Sequence, residues 1–213
     1  MTKIYIVRHG QSKANEKDLF LGHGNLDLTM LGELQAQKTA DFLDGVQIDK
    51  IYSSDLGRAV QTAEFTANKK GLDIIKDVRL REIDAGEWDF MTFAEIYKKS
   101  PNELALWMND LGRAYCPKGE TILQSQTRMF DAIKDIADKN PKKTIAIFSH
   151  ATSILSFIAK VKGLSVDQIK TMSYPSNASV TTITYDNGKF ELLEYSKDDF
   201  MGDLRTALPK NLV

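Results

Sequence analysis

Two apolar runs each lead directly into a histidine. Ile4-Tyr5-Ile6-Val7 is followed by Arg8-His9-Gly10, and Thr144-Ile145-Ala146-Ile147-Phe148 by Ser149-His150. Short runs without polar alternation suit strands buried on both faces, as in the parallel sheet of an α/β protein. Ligands of such sheets bind beyond the carboxyl ends of the strands. A single histidine after a strand is usually just a hydrogen-bonded polar residue. If these two runs are neighbours, however, two of the chain's three histidines meet at one sheet edge.

The rest of the chain supplies the alternation such a sheet requires. After the polar segment Gln11 to Asn25, Thr29 reads as an N-cap for a helix from about Met30 to Leu43, with Leu31, Leu34, Ala36, Ala40 and Phe42 at helical spacing. Ile48 to Tyr52 reads as a second strand. Ser53-Ser54-Asp55 offers capping oxygens for a helix through Ala59, Ala63 and Phe65 to about Asn68, and Leu72 to Ile75 is a third strand. The rhythm then breaks. Two short helices are expected between Thr92 and about Asp110, divided at Pro101, in an insertion spanning about residues 90–117. Gly119 to Lys139 carries an amphipathic helix, and Ile154 to Val161 another. Ser173 to Tyr185 reads as a strand joined to Lys189–Tyr195 by an Asn187-Gly188 hairpin turn, and the tail from Asp198 through Pro209 carries little signal. Without a linker or repeat, residues 1–213 are expected to form a single domain with a helical cap.

Bulk properties exclude several function classes. A net charge of −1 gives no support to a nucleic-acid or membrane-surface role, so any anion site must be local. One cysteine, Cys116, can form neither an internal disulfide nor a thiolate cluster, which fits a reducing compartment. The four apolar residues before Arg8 are too few for a signal peptide, and no window reaches the roughly 18 apolar residues of a membrane span. A cytoplasmic protein is expected.

The residues at the sheet edge form a set. Arg8 lies beside His9, and Arg58 falls in the first turn of the helix after another strand. Two guanidiniums and a helix N-terminus make an anion site. Glu82, beyond the third strand, adds a carboxyl group. These groups suffice for phosphoryl transfer: neutral His9 attacks phosphorus, Arg8, Arg58 and His150 stabilise the equatorial oxygens, and Glu82 protonates the departing alkoxide. The scheme calls for neither cofactor nor metal, and a pocket lined by two guanidiniums repels a cation. Ser12 and Ser149 beside histidines invite a serine-hydrolase reading, but no Gly-x-Ser-x-Gly elbow exists and the arginines would have no role in it. His23, in a glycine-flanked loop, reads as a rim or surface residue.

At this point the sequence resembles the histidine phosphatase superfamily, in its phosphoglycerate-mutase-like branch, from Lys3 to about Tyr185. Arg8-His9-Gly10 matches the hallmark, and Asn15, Gly22 and Leu28-Thr29-x-x-Gly32-x-x-Gln35-Ala36 follow at the expected spacing. Ser53-Ser54-Asp55-Leu56-Gly57-Arg58-Ala59-x-Gln61-Thr62-Ala63 matches the second block, and Leu80-Arg81-Glu82-Ile83 with Gly86 and Trp88 the third. Pro117-x-Gly119-Glu120 and Ser149-His150 match the last two. The fold implied is a three-layer α/β/α sandwich with a mostly parallel central sheet and a small helical insertion over the active site. By resemblance, His9 is the phosphorylated nucleophile and Glu82 the proton donor. Arg8, Asn15, Gly22, Arg58, His150 and Ala151 are implied to contact substrate. Three residues depart from the pattern: Ala151 and Phe90 stand where glycine is usual, and Gln11 where an acidic residue is frequent. None removes a catalytic group.

The segment Asp84 to Cys116 lacks the Tyr-Gly-x-Leu-Gln-Gly block, the paired arginines and the Pro-Pro of the mutases. It offers instead Trp88, Phe90, Phe93, Tyr97 and Trp107, with Lys98, Lys99 and Arg113 as candidate cations for a substrate carboxylate. The expected function is therefore hydrolysis of a small-molecule phosphomonoester through a phosphohistidine. The alternatives are a cofactor-dependent phosphoglycerate mutase and a non-catalytic phosphate-binding module. The expected partner is a small phosphorylated metabolite, with no nucleic acid or membrane, and a homodimer is left open.

Overall fold

The computed structural model describes residues 1–206; the end of the tail, including Pro209, lies outside the described residues. In chain order the elements are β1 (Thr2–Arg8), α1 (Lys13–Glu16), β2 (Leu19–Phe20), α2 (Met30–Phe42), β3 (Lys50–Ser53), α3 (Gly57–Lys70), β4 (Ile74–Lys76) and β5 (Met91–Thr92). There follow α4 (Phe93–Lys99), α5 (Pro101–Asn109), α6 (Ile122–Asp138), β6 (Thr144–Ser149), α7 (Ala151–Val161), α8 (Val166–Ile169), β7 (Val180–Asp186) and β8 (Lys189–Lys197).

Six strands form the central sheet in the order β4-β3-β6-β1-β7-β8, and β2 and β5 make a separate ribbon. The first four run parallel, while β7 and β8 are antiparallel to their neighbours. Strand periodicity sends alternate residues to opposite faces. Ile4, Ile6, Ile145 and Ile147 meet Met129, Ile133 and Ile136 of α6 and Ile154, Phe157 and Ile158 of α7. Tyr5, Val7, Ala146 and Phe148 instead meet Leu43 and the α3 residues Ala63 and Ala67. Both faces are covered, which is why neither strand alternates with polar residues. The layering is the expected α/β/α fold with a mostly parallel sheet.

The insertion packs as a third cluster. Trp88, Ile96, Leu104, Trp107 and Leu111 close around Phe20 and rest on Leu155 and Ala159 of α7. Phe20 meets Trp88 and Trp107 edge-on, with ring centroids 5.3 and 4.9 Å apart, an arrangement favoured by the aromatic quadrupole. The division at Pro101 is as expected, with proline opening α5 where its missing N–H is harmless.

Two boundaries and one helix face differ from the sequence reading. Helix α7 begins at Ala151 rather than Ile154, directly after His150 in an extended N-cap conformation. The stretch before Val180 is irregular because Pro175 has no N–H to give a ladder and Ala178 adopts a positive φ of 56°. Helix α2 buries Gly32, Gln35, Ala36, Thr39 and Ala40, leaving Met30 and Leu34 exposed. Within the tail, 3-10 turns over Asp199–Leu204 stack Phe200 on Phe42 at 4.2 Å. Among the described residues no helix is long and apolar enough to cross a membrane.

Candidate active site

The pairing of β1 with β6 sets Val7 against Phe148 and Arg8 against Ser149, so His9 and His150 leave the sheet side by side. Their ring centroids are 5.1 Å apart. The His9 backbone is held on three sides: its N–H donates to Ser149 O, and its carbonyl accepts from Ala178 N and Asn177 Nδ2. The next N–H, of Gly10, donates to Thr62 Oγ1 on α3. A Cβ on Gly10 would lie 2.4 Å from the Gly32 carbonyl oxygen, so only glycine lets α2 approach this loop so closely.

His9 Nδ1 lies 2.7 Å from its neighbour's carbonyl, Gly10 O. A carbonyl can only accept, so the neutral ring carries its proton on Nδ1 and its lone pair on Nε2. Burial, reinforced by Arg58 and Arg8, holds the His9 pKa well below the ordinary imidazole value. The unprotonated Nε2 has the lone pair a nucleophile needs.

Arg8 donates through Nη1 to Pro175 O at 2.7 Å, while its Nε is buried without a partner among the described residues. Arg58 donates to the carbonyls of Gly24 at 2.8 Å and Gly22 at 2.9 Å. Burial lowers both guanidinium pKa values to about 10, with Glu82 opposing the shift in each case. Both stay cationic at neutral pH. They form a buried positive site that an anion would relieve.

Glu82 is fixed by the start of α7. Its Oε1 accepts from Ile83 N, Ser153 N and Ser153 Oγ, and its Oε2 from Thr152 N at 3.1 Å. The Thr152 and Ser153 N–H groups are donors that α7 leaves free in its first turn. Behind the carboxylate, Arg128 of α6 donates to the carbonyls of Arg79, Arg81 and Glu82 and to both oxygens of Glu120. Glu120 in turn accepts from Asp84 N. The pair clamps both flanks of Glu82.

Arg8, His9, Asn15, Arg58, Glu82 and Ala151 line one cavity, together with Ser12, Asp18, Phe20, Leu21, Phe93, Trp107 and Tyr174. Asn15 Oδ1 accepts from Ser12 N and Asn177 Nδ2, which fixes its amide and leaves Nδ2 as a free donor on the cavity wall. Two residues expected at the substrate are placed differently. Gly22 lies behind the wall, where its carbonyl holds Arg58 and its N–H donates to Asp89. His150 is fully buried beneath His9. Its Nε2 is 2.8 Å from Ser54 Oγ and its Nδ1 has no partner among the described residues. Ser54 is thus turned toward the second histidine and does not cap a helix; α3 starts from Leu56 without a side-chain cap.

The remaining expectations separate cleanly. Phe93 and Trp107 reach the cavity, whereas Trp88 is core, and Phe90 and Tyr97 are exposed. Phe90 holds a φ of 65°, the left-handed conformation that explains a glycine preference there, and its ring lies against Gly24. Gln11 is used structurally: its N–H donates to Gln35 and its Oε1 accepts from Thr29 Oγ1, the N-cap of α2. His23 Nε2 donates to the Glu82 carbonyl. Lys99 pairs with Glu87, and Arg113 with Asp110 and Asp167, away from the cavity. Cys116 is buried, which raises its thiol pKa. Among the described residues no cluster of three or more His, Cys, Asp or Glu side chains could hold a metal ion. Arg128, Tyr174, Pro175 and Asn177 are site residues that motif reading did not single out, and Ser54, read there as a capping residue, holds His150 instead.

Comparison with known proteins places this geometry among relatives. A family model of the histidine phosphatase superfamily, branch 1, matches residues 4–198. Phosphoserine phosphatase 1 of Hydrogenobacter thermophilus is 28% identical over 204 residues, covering 95% of this chain and 96% of that protein. A probable phosphoglycerate mutase GpmB of Escherichia coli is 30% identical over 164 residues, covering 77% of this chain and 76% of the relative. The solved structure of Bacillus stearothermophilus YhfR superposes with a TM-score of 0.91 at 28% identity, over 94% of this chain and 100% of that one. With the paired histidines, the two buried arginines and the carboxylate at one sheet edge, the chain belongs to branch 1 of the histidine phosphatase superfamily.

Proposed function

We propose that the protein is a phosphatase that hydrolyses a small-molecule phosphomonoester through a phosphohistidine on His9. The observation that carries this reading is the His9 hydrogen bond to Gly10 O, which leaves Nε2 unprotonated beside Arg8, Arg58 and Glu82 in one cavity. Nε2 attacks phosphorus, the ester P–O bond breaks, and the proton on Glu82 passes to the leaving oxygen to release the alcohol. The Nδ1–H bond to Gly10 O stabilises the cationic ring of the intermediate. Water then attacks phosphorus, giving its proton to the Glu82 carboxylate, and the P–N bond breaks to release phosphate. Arg8, Arg58 and the free Asn15 Nδ2 oppose the charge on the phosphoryl oxygens, and His150 backs the His9 ring from beneath.

The phosphatase named among the relatives supports hydrolysis, and the GpmB relative favours a second reading as a phosphoglycerate mutase. A mutase would interconvert the two monophosphoglycerates faster than it releases phosphate. Brief incubation with a radiolabelled phosphomonoester and acid quench tests the main reading. Acid-labile label on wild type, none on His9→Ala, and phosphate release is the expected result. Phosphate release by His9→Ala at the wild-type rate would overturn the covalent route, and activity lost on chelation would overturn the metal-independent one.

A further inference from the structure

Beyond the phosphoryl group, the charge of the cavity wall defines which alcohol fits. On the leaving-group side the wall is Phe20, Leu21, Phe93, Trp107 and Tyr174. Among the described residues that line the cavity, the cationic side chains are Arg8 and Arg58, both beside His9 and both tied to backbone carbonyls. The one carboxylate at the rim besides Glu82 is Asp18, which is exposed and forms no ion pair among the described residues. A substrate carboxylate or second phosphate would leave water here without a cation to meet it, and would face the Asp18 charge.

The polar atoms of Trp107 and Tyr174 are closed off from the cavity, so these side chains present apolar surface to it. The Trp107 indole N–H and the Tyr174 hydroxyl are buried without partners among the described residues. Trp107 is fixed edge-on against Phe20 and Trp88, with centroids 4.9 and 5.9 Å away, so this wall is rigid. We infer that the substrate is the phosphate monoester of an uncharged alcohol with an aromatic or aliphatic body and no carboxylate or second phosphate. This rests on the phosphatase reading and adds the substrate class to it.

Three primary or secondary alkyl phosphates of comparable leaving-group basicity separate the two ideas: 2-phenoxyethyl phosphate, 3-phosphoglycerate and O-phosphoserine, with p-nitrophenyl phosphate as the activity control. The expected result is a kcat/KM for 2-phenoxyethyl phosphate at least about tenfold above the other two, the size of effect that pocket complementarity gives. Asp18→Asn, tolerated at a φ of 51°, should narrow that ratio by relieving the repulsion of carboxylates. Equal or faster hydrolysis of either carboxylate-bearing ester would overturn the inference while leaving the phosphatase reading standing. Absence of phosphate release from all four compounds would overturn the phosphatase reading itself.

Discussion

Acidification should weaken this fold through His9 and His150 before its carboxylates titrate. Both imidazoles are buried and held well below 6.5, first by desolvation and then by the Arg58 charge. In the unfolded chain each takes up a proton near its ordinary value. The unfolded state therefore binds more protons below about pH 6.5, and stability falls as pH falls through that window. For a ring that stays neutral in the native state, the loss from about pH 7.5 to about pH 5 is RT ln(1 + 10^1.5), or about 2 kcal/mol, and about 4 kcal/mol for the pair. Urea unfolding at the two pH values measures it. His9→Ala removes one of the two titrations, and burial and Arg58 still act on His150, so the pH-dependent loss should drop to about 2 kcal/mol whatever the variant's absolute stability. A wild type with flat stability over this window, or a His9→Ala protein with the full wild-type dependence, would refute the reasoning. The same shift has a kinetic consequence: the acid limb of kcat/KM should lie below the ordinary imidazole value, because His9 remains a neutral nucleophile there.

Glu82→Gln should slow alkyl phosphates more than aryl phosphates with good leaving groups, by up to about 100- to 10,000-fold, and equal losses on both would remove Glu82 from proton transfer. Ser54→Ala leaves both nitrogens of the buried His150 ring without a protein partner; it should lower kcat and destabilise by about 1–3 kcal/mol, whereas Ser54→Thr should restore most of both, as read by steady-state kinetics and urea unfolding. In Gly32→Ala the new Cβ would lie 2.0 Å from the Gln11 carbonyl oxygen, a backbone atom. Displacing α2 from the His9 loop should cost about 1–3 kcal/mol, visible as a lower melting temperature together with reduced kcat.

The fold and the reacting groups were legible in the sequence for different reasons. Sheet burial on both faces writes itself as unbroken apolar runs, so β1 and β6 and the histidines that end them could be read directly. Arg8 and Arg58 are legible because chain position alone puts them at strand and helix termini. What supports them is not local. Pro175 O receives Arg8 and Asn177 holds His9 O across 167 and 168 residues of chain. That segment reads as strand by its β-branched neighbours, and only the missing proline donor and the Ala178 conformation take it out of the sheet. Arg128 falls on a helix whose periodicity announces packing, and nothing in that pattern shows that its polar face clamps the Glu82 loop.

Ser54 shows how a correct local rule can miss a function. Serine before a helix is a natural N-cap, yet here α3 begins from Leu56 with no side-chain cap, and the Ser54 hydroxyl meets His150. Replacing the cap by alanine in an ordinary helix costs about 1 kcal/mol. A buried histidine left without its partner costs more, since the ring nitrogen would lose the hydrogen bond it makes among the described residues. The stronger demand decides the hydroxyl's direction. The tertiary pairing of β3 with β6 creates that demand by bringing Ser53 level with Phe148, so that the residues after each strand meet. The second imidazole is thus held from the neighbouring strand, and the first from its own backbone at Gly10, which leaves His9 Nε2 as the ring nitrogen available to a substrate.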